Sequence, residues 1–299
     1  MDDRRPSMTT ARSFMDRAGC LLALLIVGWM PETMADEKTG DIAIPVDPAA
    51  IIDQHLYTDS VNACGPTAIA NSLRFGTPKM VATWNGFVGG NDTTRLRFAI
   101  DRWFLNQTST IYPPNKRLSY DGVVEEDLAA GYNDLLESVG LAPLNAGFLD
   151  RRIGEKSPAF LRRVHELICD SLEDGVPPVL SLKTYVARRF ERMDNQIAWE
   201  PAAHHCVAVT GISRTLRPAD LGFGIDLIDP NGGHQTRAFI YAENLLNFRA
   251  LKGTQDKGDW LEGRPFLLVQ APGVLSLRPE KAEWPDRVIV VANFLIGKY

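Results

Sequence analysis

A single cysteine stands directly before Gly-Pro and a helix-forming run in the segment "DSVNACGPTAIANSL", residues 59–73. Proline is favoured in the first turn of a helix, so Gly65 and Pro66 place Cys64 at or just before a helix N-terminus. The unpaired N–H groups and the positive end of the helix dipole favour a thiolate at such a position. Cys64 is therefore either a small core residue or a nucleophile, and this stretch alone favours neither.

Cysteine nucleophiles require a nearby base, usually histidine, and a third group that orients this base. The chain has five histidines, at positions 55, 165, 204, 205 and 234. His165 stands among charged residues of a helix-like segment and is expected at the surface, whereas His234 follows Asn-Gly-Gly and is expected in a loop. His204 and His205 open a strand-like segment. Successive side chains of a strand point to opposite faces, so only one of these two histidines is expected to face Cys64.

The same alternation places Cys206 on the face opposite His205, so these two neighbours are not expected to work as a local pair. It also makes a zinc site built from His204, His205 and Cys206 awkward, and the chain has no Cys-x-x-Cys motif. The glycine-rich segment 85–92 lacks the Lys-Ser/Thr of a phosphate-binding loop. No metal or other cofactor is expected.

An acidic residue ends the next strand-like segment, "FGIDLIDPNGG". Asp229 at a strand end can accept the second ring N–H of a histidine on an adjacent strand and so fix its tautomer. Asp229 could instead simply begin a turn, because Asp-Pro-Asn-Gly is strong turn chemistry. Asp226 is a rival on the opposite face of the same strand.

Taken together, these segments resemble the papain-like peptidases related to the bacteriocin-processing, double-glycine leader peptidases. The resemblance covers residues 51–232 and rests on four segments in order: "NACGPTAIANSL", "LEDGVPPVLSL", "HCVAVTG" and "LIDPNGG". It differs from the family in a long region 76–158, expected to hold a helical insertion, and in the lengthened connection 213–222.

The resemblance implies a role for each candidate residue. Cys64 is the nucleophile, His205 rather than His204 is the base, and Asp229 orients His205. Gln54, which is the only glutamine before Cys64, is the implied oxyanion donor. The implied activity is hydrolysis of peptide or other amide bonds through a thioester. A thiol acyltransferase on the same fold and a non-catalytic exported binding protein remain alternatives, although the intact Cys, His and Asp argue against the latter.

Hydrophobic periodicity divides the chain into a mainly helical first half and a mainly extended second half. Helices are predicted over 66–75, 95–105, 125–140 and 159–175, and strands over 179–186, 205–212, 223–229, 236–241, 265–272 and 287–296. Such segregation favours an α+β fold with an antiparallel sheet. The resemblance implies a papain-like fold, in which a helical half carrying Cys64 packs on a sheet carrying His205 and Asp229.

The first residues have the pattern of a signal peptide. Four arginines precede the uncharged run Ala18 to Met30, which is too short to span a bilayer comfortably. We expect a signal peptide over 1–35, a lead-in segment over 36–50 and a single domain over 51–299, exported to the periplasm or beyond. An uncleaved N-terminal anchor is the alternative.

The net charge and the cysteine content limit the binding partners and the disulfide bonds that we expect for this protein. The net charge is −5 without a basic stripe, so a peptide or protein substrate is expected and nucleic acid is not. No basic membrane-binding helix is present in the sequence, and stable membrane insertion after signal removal is not expected. Beyond the signal peptide three cysteines remain, and a Cys169–Cys206 disulfide that leaves Cys64 free is one possibility.

Overall fold

The computed structural model describes residues 41–57, 62–189, 197–244, 249–250, 265–277 and 288–299. Residues 40–299 form one compact unit. The predicted signal peptide lies outside the described residues.

Five α-helices and eleven strands make up the described part of the chain. The helices are α1 (Cys64–Arg74), α2 (Pro78–Gly86), α3 (Asp92–Ile100), α4 (Glu125–Ser138) and α5 (Ser157–Glu173). The strands are β1 (Asp41–Ala43), β2 (Leu118–Ser119), β3 (Gly122–Val123), β4 (Asn145–Phe148), β5 (Val179–Arg189), β6 (Ile197–Ser213), β7 (Gly222–Asp229), β8 (His234–Asn244), β9 (Arg249–Ala250), β10 (Pro265–Gln270) and β11 (Val288–Gly297).

Six of the strands close into an antiparallel barrel. The order is β6–β5–β11–β10–β8–β7, and β7 pairs back with β6. β1 and β4 extend the sheet by pairing with β6 and β11, and β9 runs parallel to β6. The molecule is thus of the α+β class, with its helices mainly before its barrel strands, which confirms the fold class expected from the periodicity.

The barrel strands place alternate apolar residues on one face, where they form a core with α5. This core includes Leu180 and Leu182 of β5 and Val207 and Val209 of β6. The apolar stripe of α5 packs against them, and Gly175 follows the helix with a φ of 72°, the left-handed conformation that ends many helices.

The helices α1 to α4 build a second core that includes residues of the other face of the barrel strands. α1 is central to it, since every residue from Cys64 to Leu73 is buried. Val179 and Cys206 of the barrel belong to this same cluster. Ser72 joins the layers, because its hydroxyl donates to the Pro177 carbonyl and hydrogen-bonds the Tyr132 hydroxyl at 2.9 Å.

Most predicted elements are present, and the region between α1 and α5 holds more than helices. Of residues 76–158, the stretch 118–123 forms the β2–β3 hairpin, and β4 pairs with β11. A π-helical turn over 101–105 continues α3. β1, which falls in the predicted lead-in, adds a strand beside β6.

One expectation about a single residue is wrong. His165 is buried rather than exposed, because its Nε2 lies 2.6 Å from the Ser213 carbonyl and its ring packs edge-on against Phe223. The charged neighbours of His165 concealed its burial, since they lie on the other side of α5.

The disulfide that the sequence left open is not formed. Cys169 and Cys206 are free thiols in two different cores.

A side-chain clamp holds the segment before the cysteine against α1. The Ile52 N–H donates to Asn71 Oδ1, and Asn71 Nδ2 donates to the Ile52 carbonyl, both at 2.9 Å and both buried. Asn71 therefore pairs both backbone groups of Ile52, as a neighbouring strand would. This contact holds the chain directly before the short 3₁₀ turn Gln54–Leu56.

Asn71→Ala should lower the free energy of unfolding by about 2–4 kcal/mol, because two buried backbone groups of Ile52 lose their partners. Urea unfolding measures this change. Asn85→Ala, at an exposed amide that accepts from Arg74, is the matched control and should change stability by about 0.5 kcal/mol or less. Equal losses in both variants would contradict the clamp.

Candidate active site

Cys64 is the first residue of α1, as its place before Gly-Pro predicted. The preceding residue, Ala63, offers no side-chain cap, so the dipole of α1 acts on the thiol without a capping hydroxyl or carboxylate at that position. Cys64 is buried, with 7% of its surface exposed. A charge on this thiol must therefore be balanced by nearby side chains rather than by water.

His205 and Asp229 form a buried ion pair beside Cys64. His205 Nε2 lies 2.7 Å from Asp229 Oδ1, and the same oxygen accepts the Asn231 N–H at 2.8 Å. His205 and Cys64 also shift each other's pKa, which places the imidazole in the surroundings of the thiol. Because Asp229 engages Nε2, Nδ1 is the ring nitrogen that Asp229 leaves unoccupied.

The surroundings favour a thiolate on Cys64. A hydrogen bond with Cys206 is the largest effect and lowers the pKa of Cys64. Burial raises the pKa of Cys64 and so opposes this effect. The interactions with His205 and the charge of His204 lower it further, so that the pKa of Cys64 lies well below its usual value.

The same contacts act on His205 in the opposite direction. Burial lowers the pKa of His205, but hydrogen bonds to Asp229 and Cys64 outweigh it and raise the pKa of His205 to about 9. A thiolate facing an imidazolium is thus the favoured state of the pair near neutral pH.

A second polar cluster lies next to this chain and was not predicted. We call it the Glu125 cluster: Glu125, Ser181, Lys183, His204 and Asn293. Glu125 Oε1 lies 2.7 Å from both Lys183 Nζ and Asn293 Nδ2, and 3.6 Å from His204 Nε2. Ser181 Oγ lies 2.8 Å from His204 Nε2 and 3.3 Å from Glu125 Oε1. The cluster thereby ties the first turn of α4 to three barrel strands.

The Glu125 carboxylate is charged despite its burial. Desolvation raises the pKa of Glu125, but the charges of His204 and Lys183 outweigh it and bring the pKa below its usual value. Lys183 and His204 each keep 27% of the side chain exposed, so the cluster reaches the surface beside the nucleophile.

Both His205 and Cys206 lower the pKa of Cys64, although they are neighbours on β6. The paired part of β6 and β7 begins at Ala208 and Ile228, so His205 and Cys206 lie beyond it. Of the two histidines, His205 pairs with Asp229, whereas His204 contacts Ser181 of the Glu125 cluster, and burial lowers the pKa of His204.

Gln54 lies at the turn that follows Asp229. Its N–H donates to the Pro230 carbonyl at 2.8 Å, and its Nε2 donates to Asn231 Oδ1 at 3.4 Å. Gln54 Oε1 is buried without a hydrogen-bond partner. The Asn71 clamp and these contacts bring Gln54 to the Asp229 side of the site.

Asp226 does not take part in the site. This rival of Asp229 instead pairs with Arg237 at 2.7 Å. His234 Nε2 lies 3.3 Å from the Gly273 carbonyl.

A second cysteine–histidine contact shows that residue types alone do not make a nucleophile. Cys169 Sγ lies 3.6 Å from His165 Nδ1 within α5. Burial and the charges of Glu173 and Asp170 raise the pKa of Cys169 to about 11, and burial lowers the pKa of His165. This pair is neutral near pH 7, so Cys169 serves as an internal reference for Cys64.

No protein-family model and no curated protein matches this chain. Among the described residues, no three or more His, Cys, Asp or Glu side chains are grouped to hold a metal ion. No helix within the described ranges is both long and apolar enough to cross a membrane.

The ultraviolet absorbance of the thiolate should appear well below the ordinary cysteine pKa in the native protein and should be missing from Cys64→Ser. His205→Ala should move this absorbance to higher pH, because burial of Cys64 remains while its hydrogen bond and the positive charge are lost. The absorbance of Cys169 should still titrate near pH 11 in every variant. A low-pH component that persists in Cys64→Ser would contradict the assignment.

Proposed function

We propose that the protein is a thiol hydrolase of papain-like type that cleaves peptide or other amide bonds. Cys64 is the nucleophile, His205 the general base and acid, Asp229 the residue that orients His205, and Gln54 an oxyanion donor. The observation that carries the proposal is the buried His205–Asp229 pair, which lowers the pKa of a buried cysteine at a helix start.

The first half of the reaction forms a thioester. The Cys64 thiolate attacks the carbonyl carbon of the substrate, and the carbonyl oxygen takes up the negative charge. His205 then gives its Nδ1 proton to the leaving nitrogen as the C–N bond breaks. Asp229 keeps Nε2–H directed to itself throughout, so Nδ1 is the nitrogen that exchanges the proton.

The second half returns the enzyme to its starting state. Neutral His205 takes a proton from water, the resulting hydroxide attacks the thioester carbon, and the Cys64 thiolate leaves as the acid forms. The imidazolium and thiolate are restored together, which is the state that their shifted pKa values favour.

The oxyanion formed at each step needs donors. The backbone N–H of Cys64 at the start of α1 is one, because helix N-termini present unpaired N–H groups. Gln54 is the second, and its place on a turn held by Asn71 and Pro230 supports this role.

The papain-like fold is part of the same proposal. A helical layer that carries the cysteine and an antiparallel barrel that carries the histidine and the aspartate support this part of the proposal. We also propose that the protein is exported, as the residues before the compact unit suggest.

The direct test uses a peptide library prepared by digesting a complete proteome, incubated with the protein and analysed by mass spectrometry for new termini. New termini should depend on Cys64. Cys64→Ala should therefore produce none, whereas Cys169→Ala, the matched control at another buried cysteine, should produce them as the native protein does. Adding a primary amine shows whether acyl groups pass to water or to an amine, which separates a hydrolase from an acyltransferase. If no peptide is cleaved and Cys64 titrates like an ordinary thiol, the hydrolase is rejected in favour of a non-catalytic binding protein.

Asp229→Asn should reduce kcat on the order of 10²- to 10⁴-fold, because an amide no longer holds the imidazolium and can select the wrong tautomer of His205. Asp226→Asn is the matched control on the same strand and should keep full activity, since Asp226 pairs with an exposed arginine. Steady-state kinetics on a cleaved library peptide provide the comparison. Similar losses in both variants would exclude the proposed role of Asp229.

Gln54→Ala should reduce kcat on the order of 10²- to 10³-fold with a smaller change in KM, since an oxyanion donor acts chiefly in the transition state. His55→Ala, at the exposed neighbouring residue of the same 3₁₀ turn, controls for disturbance of the turn. An unchanged kcat in Gln54→Ala would remove Gln54 from the proposed site.

A further inference from the structure

The turn between β7 and β8 packs directly on the 3₁₀ segment that carries Gln54. The Gln54 N–H donates to the Pro230 carbonyl at 2.8 Å, and the Gly232 N–H donates to Asp53 Oδ1 at 3.3 Å. Gly233 has a φ of 57°, and a Cβ atom on it would lie 3.2 Å from the Cβ of Asp53, so glycine permits this close approach. These contacts fix the two backbones relative to each other.

Asn231 lies in the middle of this turn and contacts two groups of the site. Its backbone N–H donates to Asp229 Oδ1 at 2.8 Å, and the same oxygen lies 2.7 Å from His205 Nε2. Its side-chain Oδ1 accepts from Gln54 Nε2 at 3.4 Å. Asn231 therefore links the carboxylate that faces His205 to the Gln54 amide, the first through its backbone and the second through its side chain.

We propose that Asn231 is a positioning residue whose side-chain oxygen sets the direction of the Gln54 amide. This role rests on the proposed function, in which Gln54 is an oxyanion donor. One Nε2 proton of Gln54 is donated to Asn231, and the other remains for the oxyanion. Asn231 does not touch the substrate and acts only through Gln54.

The direction of the Gln54 amide needs such a partner. A primary amide turned by half a rotation keeps nearly the same shape but exchanges its donor and its acceptor. In the reversed direction Gln54 Oε1 would face Asn231 Oδ1, and two acceptors repel each other. Gln54 Oε1 is buried and, within the part of the chain that the structure describes, accepts no hydrogen bond. The amide is thus anchored at its nitrogen, by the Asn231 oxygen.

The length of this hydrogen bond suits a positioning role. At 3.4 Å it is longer than the usual N–H···O bond, so Gln54 can shift towards a developing negative oxygen at little cost. The reversed direction remains unfavourable during such a shift, because it would still bring two acceptors together. Asn231 therefore selects the direction of the amide without holding it rigidly.

Asn231→Ala removes the side-chain oxygen and keeps the backbone N–H that Asp229 accepts. It should reduce kcat on a cleaved library peptide by about 10-fold, the rate equivalent of one hydrogen bond, with little change in KM. Gln235→Ala, at an exposed amide in the first turns of β8, is the matched control and should leave kcat unchanged. An unchanged kcat in Asn231→Ala would overturn the proposal.

A double-mutant cycle tests whether Asn231 acts through Gln54. Adding Asn231→Ala to Gln54→Ala should cause no further loss of kcat, because the amide that Asn231 directs is then missing. Losses that multiply in the double variant would show that Asn231 acts independently of Gln54, and would overturn the proposal.

The pH dependence of Cys64 alkylation by iodoacetamide separates this role from damage to the turn. Asn231→Ala should alkylate with the native pH dependence, since the backbone N–H to Asp229 is retained. A purely structural role would disturb Asp229 and His205 and move the alkylation of Cys64 to higher pH, which would overturn the proposal.

A measurement that does not depend on turnover uses nuclear magnetic resonance of the protein made with isotopically labelled glutamine. The side-chain signals of Gln54 are those missing from Gln54→Ala. One Nε2 proton of Gln54 should be protected from hydrogen exchange in the native protein, and Asn231→Ala should remove this protection. Asn231→Asp keeps an acceptor and should preserve it, which covers the case in which the alanine variant does not fold. Protection that survives in Asn231→Ala, or is lost in Asn231→Asp, would overturn the proposal.

The outcome also separates this role from the proposed function. Protection of the Gln54 amide that depends on Asn231, with no peptide cleaved, would support the positioning of Gln54 and reject the hydrolase. Cleaved peptides together with a Gln54 signal that does not respond to Asn231→Ala would do the reverse.

Discussion

The burial of the Cys64 thiol at the start of α1 is the constraint on which the rest of the site depends. Water reaches Cys64 poorly, so a negative charge on its sulfur must be balanced by neighbouring groups, of which His205 and the dipole of α1 are two. Each of these partners sits on a different piece of backbone or on a different strand face. The closed barrel and the fully buried α1 supply the rigidity that keeps them together.

The two cysteine–histidine contacts of this protein show how environment decides reactivity. Both pairs are buried, yet only His205 has a carboxylate behind it, whereas His165 is backed by a carbonyl and an aromatic ring. A carboxylate favours the imidazolium and hence the thiolate. At the other pair burial dominates: it lowers the pKa of His165 despite the Ser213 carbonyl and raises the pKa of Cys169, so neither side chain is charged near neutral pH.

Elements with a clear local pattern could be predicted from the sequence. The stripe of α5 and its stop at Gly175, the alternation of the barrel strands, and the placement of Cys64 by Gly65-Pro66 are all local signals. The Glu125 cluster joins residues up to 168 positions apart, and no periodicity encodes such a contact. His165 was misplaced since a histidine among charged residues is as compatible with the buried edge of a helix as with its surface.

The Glu125 cluster has a mechanical consequence. One carboxylate oxygen is shared by groups from β5, β6 and β11, so separating α4 from the barrel would leave a buried charge unpaired, at a cost of several kcal/mol. We therefore expect the Glu125 cluster to hold α4 rigidly against the barrel beside Cys64. A substrate that approaches Cys64 on this side would meet side chains that are already ordered, and little of its binding energy would be spent on ordering the protein.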